Sequence, residues 1–290
     1  MKLLPSPRLS LLSAMFLFGT IGVCVRYIPY PAALIALVRG LVGAVFLLSA
    51  AFIQGRRPSF PALLQNRKCL LAAGIAVGMN WILLFEAFRH TTVAIATICY
   101  YTAPVFVILL SPIFLRERLT LARLLCAFTA LPGIALLSGL WDNGSAVQTE
   151  GVLFGLGAAL FYASIVFFNK KLAGISSADA TIAQLAAASL VLFPYVLAST
   201  DWSMLTAEPF PLILLLTLGI VHTGLAYLMY FSSLQGLSAQ SAAIFSYLDP
   251  LTAVFLSIVF LGEPFSPVTF AGAVLILSAT LASEIFCRSR

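Results

Sequence analysis

The sequence predicts an all-α integral membrane fold: ten transmembrane helices, set as two inverted five-helix repeats around a central cavity. Three observations lead there. Of the 290 residues, 61% are apolar, only 9% are charged, and the mean hydropathy is +1.07. Soluble domains carry about 25% charged residues, so the composition belongs to a polytopic membrane protein. Apolar runs of about 20 residues, which at 1.5 Å per residue cross about 30 Å of hydrocarbon, recur along the whole chain. The third observation is that the chain repeats part of itself.

The expected spans are 9–28, 31–53, 69–88, 91–115, 120–140, 151–169, 179–199, 210–233, 238–261 and 266–286. The connections between them are short and hold Pro, Gly or charge, as at Tyr27–Pro31, Gly55–Pro61, Asp142–Gly144 and Glu208–Pro211. At an offset of 146 residues, positions 78–117 and 224–263 share 11 identical residues in 40. The matches include Tyr101/Tyr247, Pro104/Pro250, Ser111/Ser257 and Glu117/Glu263. So long a period is a duplicated half-protein rather than a solenoid repeat. The halves are read as 1–140 and 151–290. Weaker pairings join Phe18-Gly19-Thr20 to Tyr162-Ala163-Ser164, Arg26 to Lys170, and Arg39 to Gln184.

Orientation follows from basic residues, which stay on the cytoplasmic side. Alternate connections hold Lys2/Arg8, Arg56/Arg57/Arg67/Lys68, Arg116/Arg118/Arg123, Lys170/Lys171 and Arg288/Arg290, which is 13 of the 16 basic residues. Asp142, Glu150, Asp201, Glu208 and Glu263 fall on the other side, with Arg89 as its basic exception. Both termini are therefore expected in the cytoplasm. Five spans per half is an odd number, so the second half enters the membrane inverted. Inverted repeats meeting at a midplane site are a recurrent transporter plan.

Taken together, the ten spans in two halves, the Pro-interrupted fourth and ninth spans ending in Leu-Arg-Glu and Leu-Gly-Glu, and the Arg in the second span resemble the drug/metabolite transporter superfamily, in its EamA-type branch. The resemblance covers essentially the whole chain. It implies a helical bundle with a central cavity and secondary transport, often export of amino acids or other small metabolites. Known members also move nucleotide sugars, sugar phosphates and quaternary amines, so the resemblance leaves the cargo open. It also favours a bacterial inner (plasma) membrane as the location.

Polar groups in lipid are expensive, about 2.5–3.5 kcal/mol each for ionised ones, and mark functional positions. Counted from the span ends, Arg39, Asn80, Tyr101, His222 and Asp249 fall near the midplane on five different spans. Asp249 precedes Pro250, and its repeat mate is Ala103. It reads as a carboxylate that binds a cationic group or a proton, or else as one partner of an ion pair with Arg39 or His222. Pro250 removes a backbone donor and frees the carbonyl near Phe245-Ser246. Ser241, Phe245, Asp249 and Thr252 are expected along one helical face.

Arg39 reads as a fork for a substrate carboxylate, or as the partner of Asp249 or of carbonyls freed at the Pro breaks. One Arg is thin for a phosphate. His222, within Gly219-Ile-Val-His-Thr-Gly224, suits proton coupling together with Asp249, with a buried neutral ring bonded across helices as the plainer reading. Asn80 and Trp81 face the cavity or join helices. Tyr100, Tyr101, Tyr227, Tyr230 and Tyr247 add hydroxyls and ring faces suited to apolar, aromatic or ammonium-bearing cargo. Pro104 and Pro250 are the expected helix breaks. Glu86 is read as a surface partner of Arg89 and His90, and Glu117 and Glu263 as anchors at span ends.

The sequence holds no nucleotide-binding loop and no metal-ligand spacing, and the five cysteines sit in or beside apolar runs, against a disulfide framework. The expectation is therefore no enzyme, cofactor or nucleic-acid partner. It is a monomer or homodimer that moves a small molecule across the bilayer, most plausibly a proton-coupled exporter of amino acids or related zwitterions. Uptake or exchange of a cationic or quaternary-amine metabolite is the alternative, and an intramembrane enzyme or sensor the alternative of another class.

Overall fold

The computed structural model describes residues 6–114, 125, 128–129, 131–133, 135–136, 146–202, 208–234, 237 and 245–286. Helix α1 spans Pro7–Arg26, α2 Ala32–Ile53, α3 Phe60–Gln65, α4 Arg67–His90, α5 Val93–Tyr100 and α6 Ala103–Phe114. In the second half, α7 spans Ala146–Lys170, α8 Ser177–Ser199 and α9 Pro209–Thr217. A π-helical stretch, Leu218–Leu225, joins α9 to α10 at Ala226–Leu234, and α11 (Leu248–Leu261) and α12 (Pro267–Phe286) follow. Most of the expected fifth span, the first part of the ninth, and the residues Glu117 and Ser241 lie outside the described residues.

Local chemistry explains where these helices start. Proline opens α1, α9 and α12, where its missing N–H is no loss. Thr92 and Ser176 cap α5 and α8, their hydroxyls accepting from Ile95 N and Asp179 N, both at 3.1 Å. At the far end of α11, Gly262 adopts φ 62°, a left-handed C-terminal position that other residues resist.

Where the span ends lie among the described residues, the expected boundaries hold to a few residues, with three differences. The connection after α2 contains the short helix α3. The fourth span is two helices with a turn at Tyr101–Thr102, and the ninth carries a turn at Tyr247, so Phe245 and Asp249 do not share one uninterrupted helix. The eighth span is not a regular α-helix, because its middle third is π-helical.

Among the described residues, seven helical stretches are long and apolar enough to cross a bilayer, with Leu248–Leu261 and Pro267–Ala279 as shorter apolar helices. The outer surface agrees with that solvent. Leu41, Val45, Leu190, Phe193, Phe255, Phe260 and other large apolar side chains are exposed, a liability in water and the ordinary exterior in lipid. The interior holds Ile35, Phe85, Leu185 and Leu218, which are fully buried.

Contacts between the halves form a symmetric set. Helix α1 packs on α10 and α11, while α7 packs on α4, α5 and α6. Helix α2 packs on the π-helical stretch, and α8 packs on α4; α2 also meets α8, and α5 meets α11. Exchanging α1 with α7, α2 with α8, α4 with the π stretch and α10, and α5–α6 with α11 maps the α1 contacts onto the α7 contacts and the α2–π contact onto the α8–α4 contact, and returns the α2–α8 and α5–α11 contacts to themselves. Close approach at two crossings requires glycine. A Cβ on Gly19 would stand 2.6 Å from the Asp249 carbonyl oxygen and 2.5 Å from Thr252 Cβ, and one on Gly43 would stand 2.4 Å from Thr223 Cγ2.

Two polar ties join the halves at opposite ends of α4. At its start, Asn66 Nδ2 donates to the Ala173 carbonyl at 2.8 Å, and Ala173 N donates back to Asn66 Oδ1 at 3.1 Å. At its far end, the Glu263 carboxylate accepts from Val93 N at 2.8 and 3.0 Å and pairs with Arg26 at 3.5 Å. Arg26 also donates to the Phe88 carbonyl. Glu263 thus acts as the expected anchor, and Glu86 pairs with Arg89 at 3.9 Å and His90 at 3.8 Å.

Candidate functional site

Arg39 sits on the buried face of α2 and is 3% exposed. Its Nε donates to Thr223 Oγ1 at 2.8 Å, and its guanidinium carbon lies 4.3 Å from the Trp81 ring centroid and 5.7 Å from that of Phe85. Thr223 hands its own hydrogen to the Leu218 carbonyl at 2.9 Å, the i−5 partner that the π geometry brings into line. Among the described residues no carboxylate lies within 4.0 Å of Arg39, and its two Nη groups make no protein hydrogen bond. A guanidinium clamped at one edge and on one face leaves a planar, two-pronged donor edge, which matches a carboxylate.

Asp249 approaches the same region from α11. Its Oδ2 accepts the Tyr101 hydroxyl at 2.8 Å, and the same hydroxyl stands 3.2 Å from the Ser246 carbonyl. Ser246 is the i−4 carbonyl that Pro250 deprives of a donor, so the turn of one half supplies the acceptor and the turn of the other supplies the hydroxyl. The Tyr101 and Tyr247 rings, repeat mates, face each other at 6.2 Å between centroids. Arg39 and Asp249 stand beyond ion-pair distance, yet close enough to interact electrostatically. The expected alternative in which Arg39 pairs with Asp249 or caps freed carbonyls is not what the fold builds: the Thr223 bond and the Trp81 stack hold Arg39 elsewhere.

His222 is 3% exposed in the π-helical stretch. Its Nε2 lies 2.7 Å from Thr20 Oγ1 on α1, and its Nδ1 lies 3.2 Å from the Thr217 carbonyl. It makes no ion pair with Asp249, so that alternative is also absent among the described residues. Asn80 Nδ2 donates to the Ala158 carbonyl at 2.6 Å, which joins α4 to α7. Tyr100 and Tyr101 pack edge to face at 6.3 Å, and Tyr100 meets Tyr162 at 5.6 Å. Tyr227 packs on Phe18 at 5.5 Å, and Tyr230 lies 6.4 Å from the same ring. Edge-on ring pairs of this kind are the favoured aromatic geometry.

The structure therefore brings Arg39, Trp81, Tyr101, Tyr247 and Asp249 to the junction of the halves, with His222 bonded beside them. Thr20, Thr223, Phe85, Phe18 and the Ser246 carbonyl complete it. Thr223 escaped the sequence reading because a regular helix would not align it with the 218 carbonyl. Thr20 is 202 positions from its partner; its only signal was its place in the weak repeat pairing with Ser164. A separate cavity of about 290 Å³ opens at the end where α1 and α4 finish, lined by Val25, Arg26, Ile28, Pro29, Phe88 and Arg89. It contains none of Arg39, His222 or Asp249. Groups of three or more His, Cys, Asp or Glu placed to hold a metal are absent among the described residues.

An apolar-surfaced helical bundle, with an Arg that pairs with no carboxylate among the described residues and a bonded Asp where its halves join, fits one class of protein: an integral membrane transporter of small molecules. The model of the EamA-like transporter family matches residues 7–139 and 149–283, and the chain belongs to that family. It is 31% identical over 260 residues to YxxF of Bacillus subtilis, described as an uncharacterized transporter, covering 86% of this chain and 80% of that protein. It is 28% identical over 251 residues to a probable amino-acid metabolite efflux pump of Salmonella typhimurium, covering 82% of each. A solved crystal structure superposes with a TM-score of 0.63 at 18% identity, over 98% of this chain and 99% of that one, a likeness of fold.

Proposed function

We propose that this protein is a secondary transporter that works by alternating access and exports amino acids or related small zwitterions in exchange for protons. It would consist of two inverted five-helix halves, 1–140 and 151–290. Both termini would face the cytoplasm of a bacterial cell, in whose inner membrane it would act as a monomer or homodimer. The observation that carries the reading is the Nη edge of Arg39, which makes no hydrogen bond among the described residues and is set near a carboxylate with which it is not paired. A substrate bearing both a carboxylate and an ammonium would meet the fork of Arg39 and Asp249 together. His222 and Asp249 would carry the coupled proton. Trp81, Tyr100, Tyr227 and Tyr247 would shape the space for the side chain, and Asn80, already bonded between helices, would hold the wall. The similarity to the Salmonella protein described as a probable amino-acid metabolite efflux pump points the same way. No catalytic step is assigned to any residue.

A second reading, uptake or exchange of a cationic or quaternary-amine metabolite, draws on the Tyr101–Tyr247 ring pair beside Asp249. One experiment separates the two. Purified protein is melted in the presence of amino acids, quaternary amines, polyamines and sugar phosphates, together with Arg39→Lys, Arg39→Ala and Asp249→Asn. A ligand at 100 times its Kd adds about 2.7 kcal/mol to the folded state. Amino acids that stabilise the wild type and none of the variants support the zwitterion reading. Quaternary amines that need Asp249 but not Arg39 support the second. Hits that bind all variants as well as the wild type would overturn both, and a ligand recovered chemically altered would overturn transport itself.

A further inference from the structure

His222 is one of two histidines in the chain, and both of its ring nitrogens are engaged. Nδ1 faces the Thr217 carbonyl at 3.2 Å; a carbonyl only accepts, so Nδ1 carries a hydrogen. Nε2 faces Thr20 Oγ1 at 2.7 Å, and the same hydroxyl stands 2.7 Å from the Leu17 carbonyl. Thr20 owns one hydrogen and has two groups within reach of it. If the ring is neutral, Thr20 donates to Nε2, and the Leu17 carbonyl keeps only its place in the helical ladder. If Nε2 takes a proton, it becomes a donor, Thr20 Oγ1 accepts, and the Thr20 hydrogen turns to the Leu17 carbonyl. One proton is added, one hydroxyl rotates, and every donor keeps an acceptor in both arrangements.

The surroundings select between them. Of the elements packed against the π-helical stretch, α9 has no titratable side chain, α1 has only Arg8, Cys24 and Arg26, α2 has only Arg39, and α10 has Tyr227 and Tyr230. Arg39 is the charged group near the ring, and among the described residues no carboxylate lies within 4.0 Å of it. A buried cation without a counter-ion is costly, so the neutral arrangement is the resting one.

The geometry points to Thr20 as the positioning residue of His222: it holds the ring as the Nδ1–H tautomer and switches its hydroxyl to the Leu17 carbonyl when Nε2 is protonated. The purpose of that proton rests on the transporter reading above, whereas the tautomer rests on the three distances alone. The test is nitrogen NMR of full-length protein labelled with ¹⁵N-histidine in detergent, with His90→Gln leaving His222 as the sole signal. At pH 7.5 the expected spectrum is the neutral Nδ1–H tautomer, with the Nε2 resonance displaced by an accepted hydrogen bond. Thr20→Val should shift Nε2 to the position of a bare ring nitrogen, and Thr20→Ser should return it. A wild-type spectrum showing the Nε2–H tautomer or a doubly protonated ring, or an unmoved Nε2 in Thr20→Val, would overturn the assignment. The wild-type tautomer is read without any Thr20 variant, so a variant that fails to fold still leaves a decision. Failure of zwitterions to bind, with this spectrum intact, would refute the cargo and leave Thr20 in its role.

Discussion

Replacing Glu263 by Gln tests how the halves are fastened at one end of the bundle. The carboxylate receives Val93 N at 2.8 and 3.0 Å, its side chain is 6% exposed, and its partner Arg26 lies 3.5 Å away with 35% exposure. A hydrogen bond from a backbone N–H to a buried charged group contributes about 1.5–3 kcal/mol, against about 0.5–1.5 for a neutral pair. The negative charge at the start of α5 adds about 0.3–1 kcal/mol more. The ion pair itself is screened on the Arg26 side and is worth about 0–1 kcal/mol. Glu263→Gln keeps the shape and loses the charge, so the expected cost is about 2 kcal/mol. Arg26→Gln leaves the carboxylate on Val93 N but gives up the ion pair and the charged bond to the Phe88 carbonyl; with the Gln amide recovering part of that bond, it should cost about 1 kcal/mol. Equilibrium unfolding in mixed micelles, followed by tryptophan fluorescence, measures both. A Glu263→Gln protein within about 0.5 kcal/mol of the wild type, or an Arg26→Gln protein hurt more than Glu263→Gln, would refute the reasoning, since either result would mean that the backbone bond is not what matters.

Three further substitutions probe other contacts. Gly19→Val would drive a side chain into the Asp249 carbonyl and Thr252, an overpacking cost of about 1–3 kcal/mol, seen as a lowered melting temperature and a separation of α1 from α11. Asn66→Ala removes both bonds to Ala173 and the one to the Ala62 carbonyl; hydrogen exchange in the segment around Ala173 should rise while the exchange of α5 stays unchanged. Tyr101→Phe removes the hydroxyl that reaches Asp249 and the Ser246 carbonyl, at a cost of about 1–3 kcal/mol, and should weaken binding of any ligand that needs Asp249.

The spans were legible because their ends are written locally. Pro7, Pro209 and Pro267 open helices, Thr92 and Ser176 cap them, and hydropathy supplies the lengths. The duplication made Tyr101 and Tyr247 repeat mates, and Pro250 pointed to a freed carbonyl near Phe245-Ser246; that the two rings meet is a product of the fold. What the chain did not disclose is geometry that depends on a second helix. Leu218–Leu225 reads as ordinary helix by composition, and only its packing against α2 and α1 accompanies the wider winding that aims His222 at Thr20 and Thr223 at Arg39. Likewise Arg39 and Asp249 each stood out as charged groups deep in a span, but whether they paired turned on Trp81 and Thr223, which carry no charge.

The two ties at the ends of α4 also bear on how such a molecule can rock. They are separated by the length of a 24-residue helix, about 36 Å, and each is seconded by a partly exposed ion pair between the halves, Arg56–Asp179 at 3.9 Å near the start and His90–Glu150 at 3.2 Å at the far end. If one is released while the other holds, the intact tie becomes a fulcrum and the released end a jaw. In a rocking cycle of the kind proposed above, neither the Asn66–Ala173 amide pair nor the Glu263 clasp would have a fixed job: the same few bonds would serve as hinge in one stroke and as lock in the next.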